Sequence, residues 1–511
     1  SPIQNQPDDL ARTMGQFHFA VPSGSQPVLN QTLWKDAYIC GIEGVPWECK
    51  NSVDNGVLSI IRPVDTSGKL FLTCPMKGLG YRTLSTCSLM PTEAPHCLFL
   101  ELARGSCFRA RVQSSSWQRA GLTLSDRFEE LLGRGTAQFL DAAEAEHAGE
   151  ACTKSALLAI TTLEQAIADL GESFAVQSIA YRKQREPQIG TLIAGSVMPP
   201  APTRSPLIDR FKKAFNSASV RLNWGQIESD AGRYDFELAD RSVQWAAQSG
   251  LRVIVGPLVD FRAKMMPPWM YLIEDNFDAF VNSVTQFVEK TVLRYRGSIH
   301  LWNCVSGLNT PGPIRLDDEQ VMRLAVAILQ TVRRNDPNTP AIVSFDQPFG
   351  EYLAKHRDGI SPLHFADALA RSGLGMAGVG LDVRLNYTKD STLPRSSVDF
   401  GQMIDRWATL GLPMLIQLTV PGGSGEDQHA MAEEEALISG SNRQELSANQ
   451  LRTAGPLVRT LLAKHMVHGI VWDGWADNEP HVESHAGVID GSGTPRPMLD
   501  YFERLHKDVL S

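Results

Sequence analysis

Residues 298–346 read SIHLWNCVSGLNTPGPIRLDDEQVMRLAVAILQTVRRNDPNTPAIVSFD. A short apolar run, SIHLWNCV (298–305), gives way to a helix-like segment and then to a second apolar run, AIVSFD (341–346). Strand, helix and strand in that order imply two parallel strands joined by a crossover helix. The pattern continues in both directions. Upstream lie IGTLIAG (189–195), SASVRLN (217–223) and LRVIVGPLVD (251–260); downstream lie AGVGLDV (377–383), PMLIQLTV (413–420) and HGIVWDGW (468–475). Their continuous apolar character suits strands buried on both faces. Eight such strands within 190–508 predict a closed (β/α)8 barrel, a TIM barrel in the α/β class. An open doubly wound sheet fits less well, because no Gly-rich phosphate loop follows the first strand.

The chain before the barrel reads differently. GVLSIIRPV, KLFLTC, HCLFLELA and FRARVQ are short apolar runs parted by Gly, Pro, Ser and Asn. They predict a β-sandwich-like domain over 14–115, carbohydrate-binding or simply packing. From 117 to 186 helical spacing takes over. Ser125 stands before DRFEELLGRGTAQFLDAAEAEHA as an N-cap, with Asp126, Glu129 and Glu130 in the first turn. A second periodic run follows Gly149, so a helical hairpin is expected to link the two parts.

The 511 residues point to two or three domains. A hydrophobic share of 43% and a charged share of 21% are those of a globular chain with real cores. The net charge of -9 gives no reason to expect nucleic acid or anionic lipid as a partner. No run approaches the roughly 20 apolar residues that a spanning helix needs, so membrane insertion is not expected. The first residues lack the apolar core of an export signal, which favours a cytoplasmic location; a removed signal stays open, because the chain begins on Ser1. Seven of the eight cysteines lie within the first 152 residues and none forms a C-x2-C pair, so buried free thiols are expected rather than structural zinc, with one or two disulfides as the alternative. Oligomeric state is not legible, and no cofactor is implied.

Several blocks, in order along the barrel, carry a family resemblance. FNSASVRLNWGQIESDAGRYDFELADRSVQWAAQSGLRV (215–253) is similar to a stretch running from FN-S-V-T-P-E-N through W...E...G-x-F-x-F...AD. GPLVDFRAKMMPPWM (256–270) resembles G-H-T-L-V-W-H...P-x-W, and VLRYRGSIHLWNCVSG (292–307) resembles R-Y-x-G-x-I-x-x-W-D-V-V-N-E. RRNDPNTPAIVSFDQ, AGVGLDVR and GLPMLIQLTV follow in register, and VWDGWADNEP with GVIDGSGTPRPMLDYF closes the series. Together they resemble the endo-xylanases of glycoside hydrolase family 10. The resemblance implies a barrel, a carbohydrate ligand and glycoside hydrolysis.

The departures fall on the chemistry. Where the family carries its acid/base glutamate this chain has Gly307, preceded by Ser306 in place of Asn. The nucleophile position is Leu418, and a Glu-Asn pair that grips sugar hydroxyls has become Val220-Arg221. Retaining hydrolysis needs two carboxyls about 5 Å apart, and neither Gly nor Leu supplies one. Catalytic groups in this fold come from the C-terminal ends of strands. The remaining strand-end carboxyls, Asp260, Asp346, Asp382 and Asp473, are therefore the candidates for a relocated pair, with Asp382 foremost. Substrate contacts are expected from Trp475 as a stacking platform, from Trp224, Trp302 and Trp472, and from Asn223, Arg384, Gln417 and Asp477. His481 and His485, near Glu479 and Glu483, lack a firm third ligand, so no metal is assigned. Two functions remain in view: a divergent glycoside hydrolase acting on an oligo- or polysaccharide, and a glycan-binding or scaffold pseudo-enzyme.

Overall fold

The computed structural model describes residues 14–22, 33–147, 149–201, 207–262, 264–356, 359–432, 434–438 and 440–510. Among them, seven short strands open the chain: β1 Gly15–Ala20, β2 Tyr38–Cys40, β3 Lys50–Asp54, β4 Val57–Arg62, β5 Lys69–Met76, β6 Gly80–Ser85 and β7 His96–Cys97. They form two small sheets, ordered β3-β4-β1-β7 and β2-β5-β6. Phe17, Phe19, Leu58 and Ile60 of the first sheet share one core with Leu70, Leu72 and Leu84 of the second.

Here the structure corrects the sequence reading. HCLFLELA and FRARVQ are not strands; beyond Cys97 they belong to a single 22-residue helix, α1 Leu98–Arg119. Its buried positions include Leu98, Leu102, Ser106 and Ala110, a four-residue spacing that places them on one face toward the sheets. Small residues among the apolar ones hid that face. The helical part therefore has three members, with α2 Asp126–Glu144 and α3 Glu150–Arg185. Ser125 caps α2 by accepting from the Phe128 amide at 3.0 Å. None of the eight cysteines forms a disulfide, and the Cys97 and Cys152 sulfurs lie 3.7 Å apart.

Eight parallel strands then close a barrel in chain order: β8 Leu192–Val197, β9 Ser217–Val220, β10 Arg252–Val255, β12 Leu301–Asn303, β14 Ala341–Asp346, β15 Gly378–Arg384, β16 Met414–Thr419 and β17 Val467–Trp472. Above β10 and β12 a two-residue pair, β11 Val259–Asp260 with β13 Val305–Ser306, extends the wall and sets Asp260 beside Ser306. Side chains alternate between two cores. Ala194, Ile254, Ile342, Leu415 and Val471 meet inside the barrel. Phe345, Leu381, Leu418 and Trp472 join the larger core beneath the surrounding helices.

The N-terminal part sits against the loops that follow β14 and β15. Arg395 donates to the Tyr38 hydroxyl at 2.6 Å, the Cys49 amide to the Ala354 carbonyl at 2.9 Å, and the Thr83 amide to the Pro394 carbonyl at 2.7 Å. Arg109 of α1 bridges Glu164 of α3 to Asp399 of the barrel. No described helix is long and apolar enough to cross a membrane.

Candidate functional site at the barrel mouth

Alternation decides which strand-end side chains turn inward. Ile342 points into the barrel, so Ser344 and Asp346 do as well; Leu381 and Val383 face the helices, so Asp382 and Arg384 face in. Asp346 and Asp382 are register partners on neighbouring strands. By the same rule Leu418 turns toward the helices, and its neighbour Gln417 takes the inward place and donates to Asp473 at 3.2 Å. No carboxyl occupies that position.

Three guanidinium groups organise the acids. Arg221, at the end of β9, donates to Asp473 and Asp260, each at 2.7 Å. Arg262 grips Asp260 through Nε (2.8 Å) and Nη2 (2.7 Å) and reaches Glu483 at 3.2 Å. Arg384 meets the same Glu483 oxygen at 3.2 Å and donates to the Asp390 carbonyl at 2.6 Å. Ser306 donates a short hydrogen bond to Asp382. Asp260, Asp346, Asp382, Asp473 and Glu483 are all buried. Five carboxyls against three guanidiniums leave two without a cation, so the cluster favours holding protons. Burial, with the charge of Asp346 beside it, pushes Asp382 up to about 8. Burial raises Asp346 as well, against the pull of Arg384 and Arg221 and of hydrogen bonds from Asp382 and the Gly307 amide. Burial also pushes Asp260 up to about 8, against the pull of Arg221.

Above this layer lies a cavity of about 690 Å³, lined by Arg262, Gly307, Arg384, Lys389, Glu434 and Glu483 among others. Gly307 has φ +73, and a Cβ there would press on Arg262 at 3.3 Å. The four aspartates line none of this cavity; Arg262, Arg384 and Glu483 stand in the lining instead.

Residues 181–323 match the family model for glycosyl hydrolase family 10. The matched segment spans the first four barrel strands and includes both Arg221 and Gly307. Solved xylanase structures are similar as well. Native xylanase 10B from Thermotoga maritima is 15% identical, with 64% of this chain and 97% of that one covered at a TM-score of 0.48. Xylanase B from Clostridium stercorarium F9 is 17% identical, with 60% and 95% covered at 0.46. Over 181–323 the chain is similar to glycosyl hydrolase family 10.

Of the residues expected at the site, Asp260, Asp346, Asp382, Asp473, Arg384 and Gln417 converge. The others do not. Trp475, expected as a stacking platform, is 3% exposed and packs edge-on against Phe211 with ring centres 4.9 Å apart. Trp302 and Trp472 face the helices, donating to Asp336 (3.0 Å) and the Ala486 carbonyl (3.1 Å). Trp224 stacks on Phe287. Asn223 caps the short helix Trp224–Ile227 and donates to the Met431 sulfur. Asp477 accepts from the Gly487 amide at 2.7 Å and pairs with Arg496, bracing the loop after β17.

Glu434 and Glu483 were not singled out from sequence for this site. They lie in loops, where periodicity gives no facing signal, and only the charge of the segment marked them. Asp427, Asp477 and His485 bring ligand atoms within 4.8 Å of one another. Arg496 stands 2.7 Å from Asp477, and the His481 ring and the His485 amide lie 3.0 and 2.8 Å from Asp427. These contacts already give the acids cationic and N–H partners and tie the loops after β16 and β17 together.

Proposed function

We propose that this chain binds a carbohydrate in the barrel-mouth cavity and does not hydrolyse it by the two-glutamate route of the family it resembles. One observation carries the reading: the strand-end aspartates are buried beneath an arginine layer and are absent from the lining of the cavity where a sugar would lie. Gly307 and Leu418 stand at the positions where the resemblance calls for the two glutamates, and neither they nor inward-facing Gln417 can act as nucleophile or general acid. The cavity offers guanidinium, ammonium and carboxylate groups, which suit hydroxyl recognition by charge-assisted hydrogen bonds. The indoles are unavailable for stacking, so recognition is polar.

The test is a glycan array probed with the intact chain, followed by calorimetry with xylo- and cello-oligosaccharides. Thr310→Trp places an indole at a partly exposed rim position of the cavity and should abolish binding while leaving the unfolding midpoint in place. Absence of any glycan ligand for the intact chain overturns the reading.

A second reading, hydrolysis by relocated carboxyls, rests on Glu434 and Glu483. Both line the cavity, burial raises both, and the charge of Glu483 raises Glu434 further. Release of reducing sugar that Glu434→Gln lowers by about 100-fold, the lower range for losing a general acid or base, would establish it. If instead Asp382→Asn alone abolished turnover, the buried aspartates would be the reacting pair.

A further inference from the structure

A second, smaller cavity of about 190 Å³ lies in the seam between the N-terminal sheets and the barrel. Asn51, Gln347, Glu351 and Asn386 line it, with Thr388 and Asp390, which also line the mouth cavity. The orientation of the Asn51 amide is fixed, because its nitrogen donates to the carbonyls of Trp34 (3.2 Å), Lys35 (3.2 Å) and Ala37 (2.6 Å). Its oxygen is buried and meets no donor among the described residues. Glu351 has one oxygen held by Arg395 at 2.7 Å and the Leu393 amide at 3.2 Å, while the other meets no donor. The Asn386 side-chain oxygen is in the same position.

Three buried acceptors in one seam are costly unless something donates to them. Backbone strain marks the same place. Gln347 and Asn386 hold φ values of +45 and +62, a region that residues with a Cβ adopt only where their surroundings impose it. Both lie just beyond β14 and β15, whose ends carry the buried Asp346–Asp382 pair. Charge separates the possible ligands. Three carboxylates line the seam, and each has a cation beside it, Glu351 with Arg395, Asp36 with Lys355 and Asp390 with Lys389, so the seam has no surplus negative charge for a metal ion. Neutral hydroxyl donors fit.

We propose that the seam is a specificity subsite that takes a terminal sugar residue of a glycan lying in the mouth, its hydroxyls donating to Asn51, Glu351 and Asn386. This rests on the glycan-binding reading above. It also gives the N-terminal part a role: Asn51 contributes one wall of the subsite, and the two parts read the ligand together.

The full chain is titrated calorimetrically with xylo- and cello-oligosaccharides of two to six residues, alongside Asn386→Gly. Glycine accepts the positive φ without strain, so this variant removes the acceptor and keeps the fold, with an unfolding midpoint equal to or above that of the parent chain. Parent affinity should rise with chain length until the seam is filled. Asn386→Gly should lose about tenfold on the longest ligands and nothing on the disaccharide, the scale of one hydrogen bond. Equal binding by parent and variant at every length overturns the subsite and leaves the mouth reading intact, as does a complex whose seam holds water only. Failure of every ligand to bind the parent chain overturns both.

Discussion

Asp382 shows how a single residue can carry the pH behaviour of the site. Its carboxyl faces Asp346, Ser306, Arg221 and Asp473, with Arg262 4.0 Å away. Folding raises it from an ordinary 3.8 to about 8. A raised acid contributes stability that is fully present below its unfolded value and is lost as pH rises through the folded one. The parent chain should therefore lose stability between about pH 4 and pH 8. Asp382→Asn keeps the shape and removes the titration, so its melting temperature should vary less over that window and exceed the parent's at pH 9. An unchanged pH profile in the variant would place the shared proton elsewhere. Arg221 is the counterpart. Replacing it with Leu strands Asp473 in the interior with only the neutral Gln417 amide, leaves Asp260 to Arg262 alone, and should cost about 3–5 kcal/mol, the usual penalty for breaking a buried pair, measured as the shift in urea-unfolding free energy.

At the scale of elements, the sequence disclosed the barrel and concealed the details that matter for the site. All eight strands are legible because parallel strands buried on both faces read as unbroken apolar runs between helical segments. The same lack of alternation hides which residues face inward. A one-residue shift moves a side chain to the opposite face, and for this reason Leu418, Trp302 and Trp472 looked like mouth residues when they face the helices. Asp346 and Asp382 were recognisable as strand-end acids, yet their burial under Arg262 and Arg384 depends on loop and strand-end geometry that local spacing does not encode. Helix α1 was hidden for another reason. Its crossing over β6 is permitted by Gly105, where a Cβ would lie 1.8 Å from the Ser85 carbonyl oxygen. A lone glycine inside an apolar run suggested a turn between strands, but it marks close approach of a helix to a sheet. Gly105→Ala should push α1 off β6 and destabilise the chain by about 1–3 kcal/mol, the range for overpacking, visible as a lower denaturation midpoint. A neutral effect would mean that the crossing relaxes freely.

For the whole molecule, the issue is whether the N-terminal part is an appendage or part of the folding unit. The contacts favour one unit. Val398 of the barrel is buried in the N-terminal core, and Gly171 of α3 approaches Ser397 so closely that a Cβ would meet its hydroxyl at 2.2 Å. Arg395, 6% exposed, rests on Phe349 at 3.7 Å and bonds Tyr38 from the other side, while Asp399 takes its guanidinium from α1. Cutting the chain at residue 187 would uncover Val398, deprive Asp399 of Arg109 and open the Arg395 site to water. Both apolar exposure and unpaired charge oppose folding of the remainder. A fragment spanning 187–511 should accordingly unfold at a lower temperature than the full chain or aggregate on expression, and the full chain should melt in a single calorimetric transition. Arg395→Met, a milder cut across the same seam, should lower that transition without splitting it. Two separate transitions in the full chain, with the barrel fragment melting at the temperature of the second, would show that the parts fold independently and that the seam is a contact between finished domains.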